Sequence, residues 1–175
     1  VYQRVYSAAQ AVTHHPYASK LLGADGHTEK VFLWQDEETG LLCKIRPDHV
    51  APELGVVVDL KKCLDAGPDN FTRILYQRKY FWSGWFYRMG LRACGIETDS
   101  YVYVACEDQD PYGVMVYTLD SDAEEAASLP GRRAMQVAAD CFKRSRWPGY
   151  TTDPQPITLP GYAWGQLKEM EDDNG

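Results

Sequence analysis

Cysteine is scarce in this sequence and follows no pattern. Cys43, Cys63, Cys94, Cys106 and Cys141 are odd in number and widely spread, with no C-x-x-C pair. That arrangement argues against a disulfide framework and gives no zinc or iron–sulfur signature, so the thiols are expected to be reduced and mostly buried. Long apolar runs are missing too. Nothing approaches the roughly 18 residues of a spanning helix, and Val1-Tyr2-Gln3-Arg4 lacks the basic, apolar, small-residue order of a leader, so a soluble cytoplasmic protein is expected, with no membrane partner. The first residue is not methionine, which reads as a fragment lacking upstream residues. Positive charge is short: 18 Lys and Arg face 25 Asp and Glu, a formal net charge of -7. A chain with that deficit cannot coat nucleic acid by bulk electrostatics and needs local basic patches or bound metal to meet phosphate.

Core material is ample. With 45% hydrophobic and 13% aromatic residues, 175 residues fit a single domain, 1–175, with an irregular tail over 151–175. Residues 6–22 read as a helix with Ser7 as N-cap, Pro16 as a break and Gly23 as a stop. Lys30–Trp34 and Leu41–Arg46 flank the turn 36–40 and read as a hairpin. Val56-Val57-Val58-Asp59-Leu60-Lys61 reads as a central strand buried on both faces. An aromatic helix is expected over 70–91, strands over 101–107 and 114–119 around Asp110-Pro111-Tyr112-Gly113, and a helix over 122–146 interrupted near Pro130-Gly131. Pro148, Pro154, Pro156 and Pro160 make the tail irregular. The order implies an α/β (α+β) fold, a central mixed sheet flanked by helices.

Two basic stretches stand out: Arg73, Arg78, Lys79, Arg88 and Arg92, then Arg132, Arg133, Lys143, Arg144 and Arg146. Either alone reads equally well as a solvated helix face. The chemistry concentrates elsewhere. Asp48 follows the second hairpin strand in Arg46-Pro47-Asp48, and Asp59 lies inside the central strand with Lys61 two residues on. Alternation along a strand aims Asp59 and Lys61 at one face and Leu60 at the other. If the neighbouring strands pair, Asp48 and Asp59 meet at one sheet edge. A carboxylate among valines needs a partner, either Lys61 or a bound cation. Two aspartates and a backbone carbonyl suit magnesium, which retains several waters and takes phosphate oxygens. From spacing alone, a plain Asp59–Lys61 ion pair explains D-x-K as well. Glu29 is a further acidic candidate beside the metal. His14 and His15 are adjacent and do not face one site, and the His49 side chain should point away from that of Asp48.

Glu29, the segments Phe32–Gly40 and Cys43–Asp48, then Val58-Asp59-Leu60-Lys61, occur in the order found in RecE-type nucleases. Tyr80–Tyr87, Val102–Glu107 with Pro111-Tyr112, and Trp147-Pro148-Gly149-Tyr150 extend the likeness over nearly the whole chain. The sequence thus resembles the RecE (exonuclease VIII) family, whose PD-(D/E)XK, restriction-endonuclease-like core is shared with lambda exonuclease and RecB-type nucleases. The resemblance implies a Mg²⁺-dependent exodeoxyribonuclease, with Mn²⁺ as a substitute, that degrades one strand of linear double-stranded DNA 5′ to 3′ in recombination and repair. It implies Asp48, Asp59 and the Leu60 carbonyl as metal ligands and Lys61 as the catalytic lysine. Tyr87 matches the tyrosine of a helical Q-x-x-x-Y pattern along the DNA path, with Ser83 where the family places glutamine; Arg78 and Lys79 are the accompanying DNA-binding candidates. A family histidine near the metal would lie upstream of Val1. The resemblance further implies duplex DNA ends as substrate, a homo-oligomeric ring such as a tetramer, and a RecT-type single-strand annealing partner. A non-catalytic DNA-binding or assembly module and a RecB-like single-strand nuclease are the alternatives; the dispersed cysteines count against the second.

Overall fold

The structure, a computed structural model, describes residues 2–172. Its backbone separates into one unit ending at Arg144 and a short one beginning at Ser145.

The first unit is built on a five-stranded sheet. The strands are β1 (His27–Thr28), β4 (His49–Ala51), β5 (Val56–Cys63), β6 (Ser100–Glu107) and β7 (Val114–Thr118), in that spatial order. β5 and β6 are parallel and every other neighbouring pair is antiparallel. The parallel pair requires a crossover, which α3 (Pro68–Gln77) and α4 (Tyr80–Ala93) provide. The hairpin strands β2 (Phe32–Gln35) and β3 (Leu42–Ile45) form a separate two-stranded sheet. The expected mixed sheet flanked by helices is present.

Period-two alternation in β5 and β6 divides the core. Val57, Cys63, Tyr101, Tyr103 and Ala105 face α3, α4 and the hairpin, joined there by Phe71, Leu91, Trp34 and Ile45. Val58, Val102, Val104 and Cys106 face α1 (Tyr2–His14) and α2 (Pro16–Leu22), meeting Val12, Ala18 and Leu21. Strands β5 and β6 are thus apolar on both sides, as a central parallel pair must be. The hairpin is fastened to α5 (Ser121–Arg144) by buried Asp36, which accepts from Arg132 at 2.5 Å and from the Thr39 hydroxyl at 2.7 Å.

Several elements differ from the sequence-based expectation. The first helix is under way at Tyr2, so Ser7 is interior to it. Pro16 does start a second helix, where His15 acts as the cap by accepting the Ala18 N–H on Nδ1. The aromatic helix is two helices, because Lys79 takes a left-handed conformation, φ 57°. Gln77, Arg78 and Lys79 are all good helix formers, so packing overrides propensity there. The long helix α5 passes through Pro130 unbroken, and the small Gly131 is buried against the Trp85 ring. In the second unit the expected irregular tail gives way to α6 (Gly161–Asp172), once Pro160 is past and Ala, Gln, Leu, Lys, Glu and Met take over. All five cysteines are free, and all but Cys94 are buried. No described helix is long and apolar enough to cross a membrane.

Candidate active site

Strand β5 carries the centre. Asp59 and Lys61 project to the same face, as alternation requires, and the Lys61 Nζ lies 2.6 Å from Asp59 Oδ1. The other oxygen, Oδ2, accepts from the Tyr101 hydroxyl at 2.9 Å. Tyr101 reaches it because β6 runs parallel to β5, with Tyr103 in register opposite Asp59 and Tyr101 one side-chain repeat earlier on that face.

Asp48 arrives by a route different from the one expected. The second hairpin strand does not pair with β5; the short strand β4, beginning at the very next residue, does, with His49 in register with Val58. β4 begins there, so the β5 edge beyond Val58 is left to Asp48, whose Oδ2 accepts the Leu60 N–H at 2.6 Å. A strand residue sends its N–H and C=O to the same side, so the Leu60 carbonyl also points along the edge that Asp48 occupies. The Asp48 backbone is held in turn, its carbonyl accepting the Glu29 N–H at 3.1 Å. Glu29 itself is half-exposed and ion-paired to Arg46 at 3.1 Å, at the rim rather than the centre.

His49 points away from Asp48, as alternation predicts, but it is buried rather than solvated. Its Nδ1 is 2.9 Å from the Thr28 hydroxyl, joining β4 to β1, and Nε2 has no hydrogen-bond partner among the described residues.

Electrostatics mark the centre. Burial pushes the Asp59 carboxyl above the usual range; Lys61 and the Tyr101 hydroxyl pull the other way, and the nearby Asp48 adds to the rise. Burial and then the Asp59 charge drive the Tyr101 phenol well up. Tyr87 is raised by burial first, then by the charges of Asp59 and Asp48. The Tyr87 and Tyr101 rings meet edge to face with centroids 6.1 Å apart. Ser83 lies one turn before Tyr87 on α4, on the same side of the helix. The Lys61 ammonium sits 4.7 Å from the Tyr80 ring centroid, at the start of α4, and the Tyr103 hydroxyl fixes that turn by donating to the Tyr80 carbonyl at 2.9 Å. Arg78 and Lys79 are exposed just before it.

The geometry therefore collects Asp48, Asp59, Lys61 and the Leu60 backbone, with Tyr87 and Ser83 alongside. It adds Tyr101 as a partner of Asp59, Tyr80 as a partner of Lys61, and Tyr103, which holds the Tyr80 backbone, none of them anticipated in these roles from the sequence. Their only signal is register: alternation places Tyr101 and Tyr103 on one face of a strand, but which residues face them depends on pairing.

Two carboxylates crowded at a strand edge, one of them raised by burial and by the other, form a place where a cation relieves an excess of negative charge. The donor set fits magnesium, which asks for one or two carboxylates and keeps its waters. It does not fit zinc: no group of three His, Cys, Asp or Glu suited to a metal occurs among the described residues. A cavity of about 520 Å³ lies against α1, lined by Val5, Ala8, Val12, Leu60 and Cys106 together with the charged Arg4, Lys61, Lys62 and Asp108. It is mostly apolar, and of the residues gathered at the centre its lining includes Leu60 and Lys61 but neither Asp48 nor Asp59.

Sheet order, crossover helices and an Asp-x-Lys strand with a second aspartate at its edge define the PD-(D/E)XK-like class of nuclease fold. A family described as a PDDEXK-like domain of unknown function (DUF3799) matches residues 1–156, and the chain belongs to it. A crystal structure of a Eubacterium rectale protein provisionally described as an exonuclease superposes with a TM-score of 0.58 at 16% identity. The match covers 89% of this chain and 63% of that one. At that identity the likeness is one of fold. No curated protein matches the sequence.

Proposed function

We propose that this chain is a magnesium-dependent exodeoxyribonuclease that degrades one strand of linear duplex DNA from its 5′ end, serving recombination by strand annealing and repair. The observation that carries the reading is the setting of Asp59: a buried carboxylate gripped by Lys61 and Tyr101, with Asp48 close enough to raise it further. A plain structural ion pair explains Lys61 but not the second acid.

Asp48, Asp59 and the Leu60 carbonyl would hold magnesium, with manganese as a substitute; bound there, the metal supplies positive charge to a scissile phosphate and acidifies a water. Lys61 orients the attacking water and offsets charge developing on the phosphate. Tyr101 keeps Asp59 in one orientation. Tyr87 and Ser83 line the path of the strand, and Arg78 and Lys79 meet its phosphates. Serine reaches less far than the glutamine of the resembled family, so that contact is weaker here. Glu29 acts on the centre through its backbone hold on Asp48.

The wider context of the proposal is a homo-oligomeric ring around duplex DNA, which keeps an acidic chain on its substrate, working with a RecT-type annealing protein. Linear duplex labelled at the 5′ end, the same duplex labelled at the 3′ end, and a closed circle separate the alternatives. Early release of 5′ label from linear DNA with the circle intact is expected. Early release of 3′ label would reverse the polarity, and cutting of the circle would make the enzyme an endonuclease. The shortened Ser83 favours one second reading, a DNA-binding module without hydrolysis, which would leave the DNA uncut in all three arms.

A further inference from the structure

The turn between α3 and α4 carries, beside Arg78 and Lys79, an aromatic pair that the hydrolytic reading leaves unused. Tyr76, on the last turn of α3, is 66% exposed. Its ring is parallel to that of Phe81 on the first turn of α4, with an interplanar angle of 2° and centroids 6.5 Å apart. The Lys79 ammonium lies 3.9 Å from the Tyr76 centroid and 5.9 Å from that of Phe81. Arg73, Arg78 and Lys79 are exposed, and none is in a salt bridge with a carboxylate among the described residues. In a chain of net charge -7, three unpaired cations around a wet aromatic ring are a local reversal of sign. The backbone is held to this shape at some cost: Lys79 is left-handed, a conformation far cheaper for glycine. The turn also adjoins the centre, since Tyr80, between Lys79 and Phe81, carries the Lys61 ammonium on its ring.

We propose that the Tyr76–Phe81 pair is a stacking platform for an unpaired DNA base, with Lys79, Arg78 and Arg73 binding the phosphates on either side of it. The proposal rests on the reading of this chain as a DNA enzyme but not on hydrolysis. Aromatic faces accept any base, and flanking cations supply the sequence-independent part of the affinity, which is the chemistry of single-strand binding. The Lys79 side chain is long and unbranched, so its ammonium can leave the ring for a phosphate while the base takes the ring face.

The test measures binding by the whole chain in EDTA at low salt, where nothing is cut. Fluorescence anisotropy compares a duplex bearing a short single-stranded overhang, the same duplex with an abasic overhang, and a blunt duplex. 2-Aminopurine in the overhang reports stacking. Replacement of Tyr76 by Ala should weaken binding to the overhang by about tenfold, in the range found for base–aromatic stacking. It should abolish 2-aminopurine quenching and leave blunt-duplex binding within about twofold. Tyr76→Phe should behave like the unaltered protein, and the abasic overhang should bind the unaltered protein as weakly as the normal overhang binds Tyr76→Ala. Equal affinity of the unaltered protein for normal and abasic overhangs, or an unaffected Tyr76→Ala, would overturn the platform even if the chain cuts DNA. A chain that stacks the base but never cuts would sustain the platform and remove the nuclease.

Discussion

Tyr101 is fully buried and its hydroxyl is spent on Asp59. Tyr101→Phe keeps the ring and its packing and deletes one hydrogen bond to a charged group, a loss of about 1–3 kcal/mol when the acid stays buried. The outcome expected is a fall of about tenfold in kcat with the KM for DNA little changed, because the phenol orients a ligand rather than touching substrate. A KM effect with kcat intact would place Tyr101 on the DNA instead. Asp59 offers a second measurement. Its carboxyl is raised by burial in the folded chain, from an ordinary value of 3.8, so the folded state holds that proton more tightly than the unfolded one. Its contribution to stability is full below about pH 3.8 and is lost as pH climbs through the raised value. Magnesium favours the charged form, so the rise in Tm on adding Mg²⁺ should grow as pH climbs through the raised value and should vanish in Asp59→Asn. An undiminished rise in Asp59→Asn would mean that the metal binds elsewhere.

The elements set where these groups can stand. Gly90 of α4 is buried where the Trp34 indole of β2 and Ile45 of β3 press on the helix, and a methyl group at that position would run into the indole ring. Gly90→Ala should therefore destabilise the fold by about 1–3 kcal/mol despite the better helix propensity of alanine, read as a lower urea midpoint with an unchanged slope. A gain in stability would show that the hairpin yields easily. The hairpin, β5, β6 and β7 were legible from alternation and turn residues. β1 and β4, two and three residues long, were not, because no period can be read from so few positions. The α3–α4 break was hidden too, lying among residues that all favour helix, as was α6 beyond a run of prolines.

At the scale of the molecule, one sheet register assembles the centre. Asp59 and Lys61 were legible as a pair because strand periodicity alone puts them together, and the resemblance to nucleases singled out Asp48. Their meeting depends on β4, a strand invisible in the sequence, and on the parallel alignment of β6 that brings Tyr101 beneath Asp59. Long-range pairing carries no local signature, so the tyrosines that brace Asp59 and Lys61 were out of reach while the acids were not. Chain charge sets a condition on the proposed activity: an acidic protein can act on DNA only where cations gather locally, as Lys61, the α3–α4 turn and a metal held by the acids would allow.

The most direct measurement is release of nucleotides from linear duplex DNA by the unaltered chain and by Asp48→Asn, Asp59→Asn and Lys61→Met, each with Mg²⁺ and with EDTA. Circular dichroism of every variant verifies that it is folded. Metal-dependent release by the unaltered chain, reduced by about a hundredfold or more in each folded variant, is the predicted result. Release that persists in folded Asp59→Asn, or that proceeds undiminished in EDTA, would contradict the assignment of this centre as a metal-dependent nuclease site.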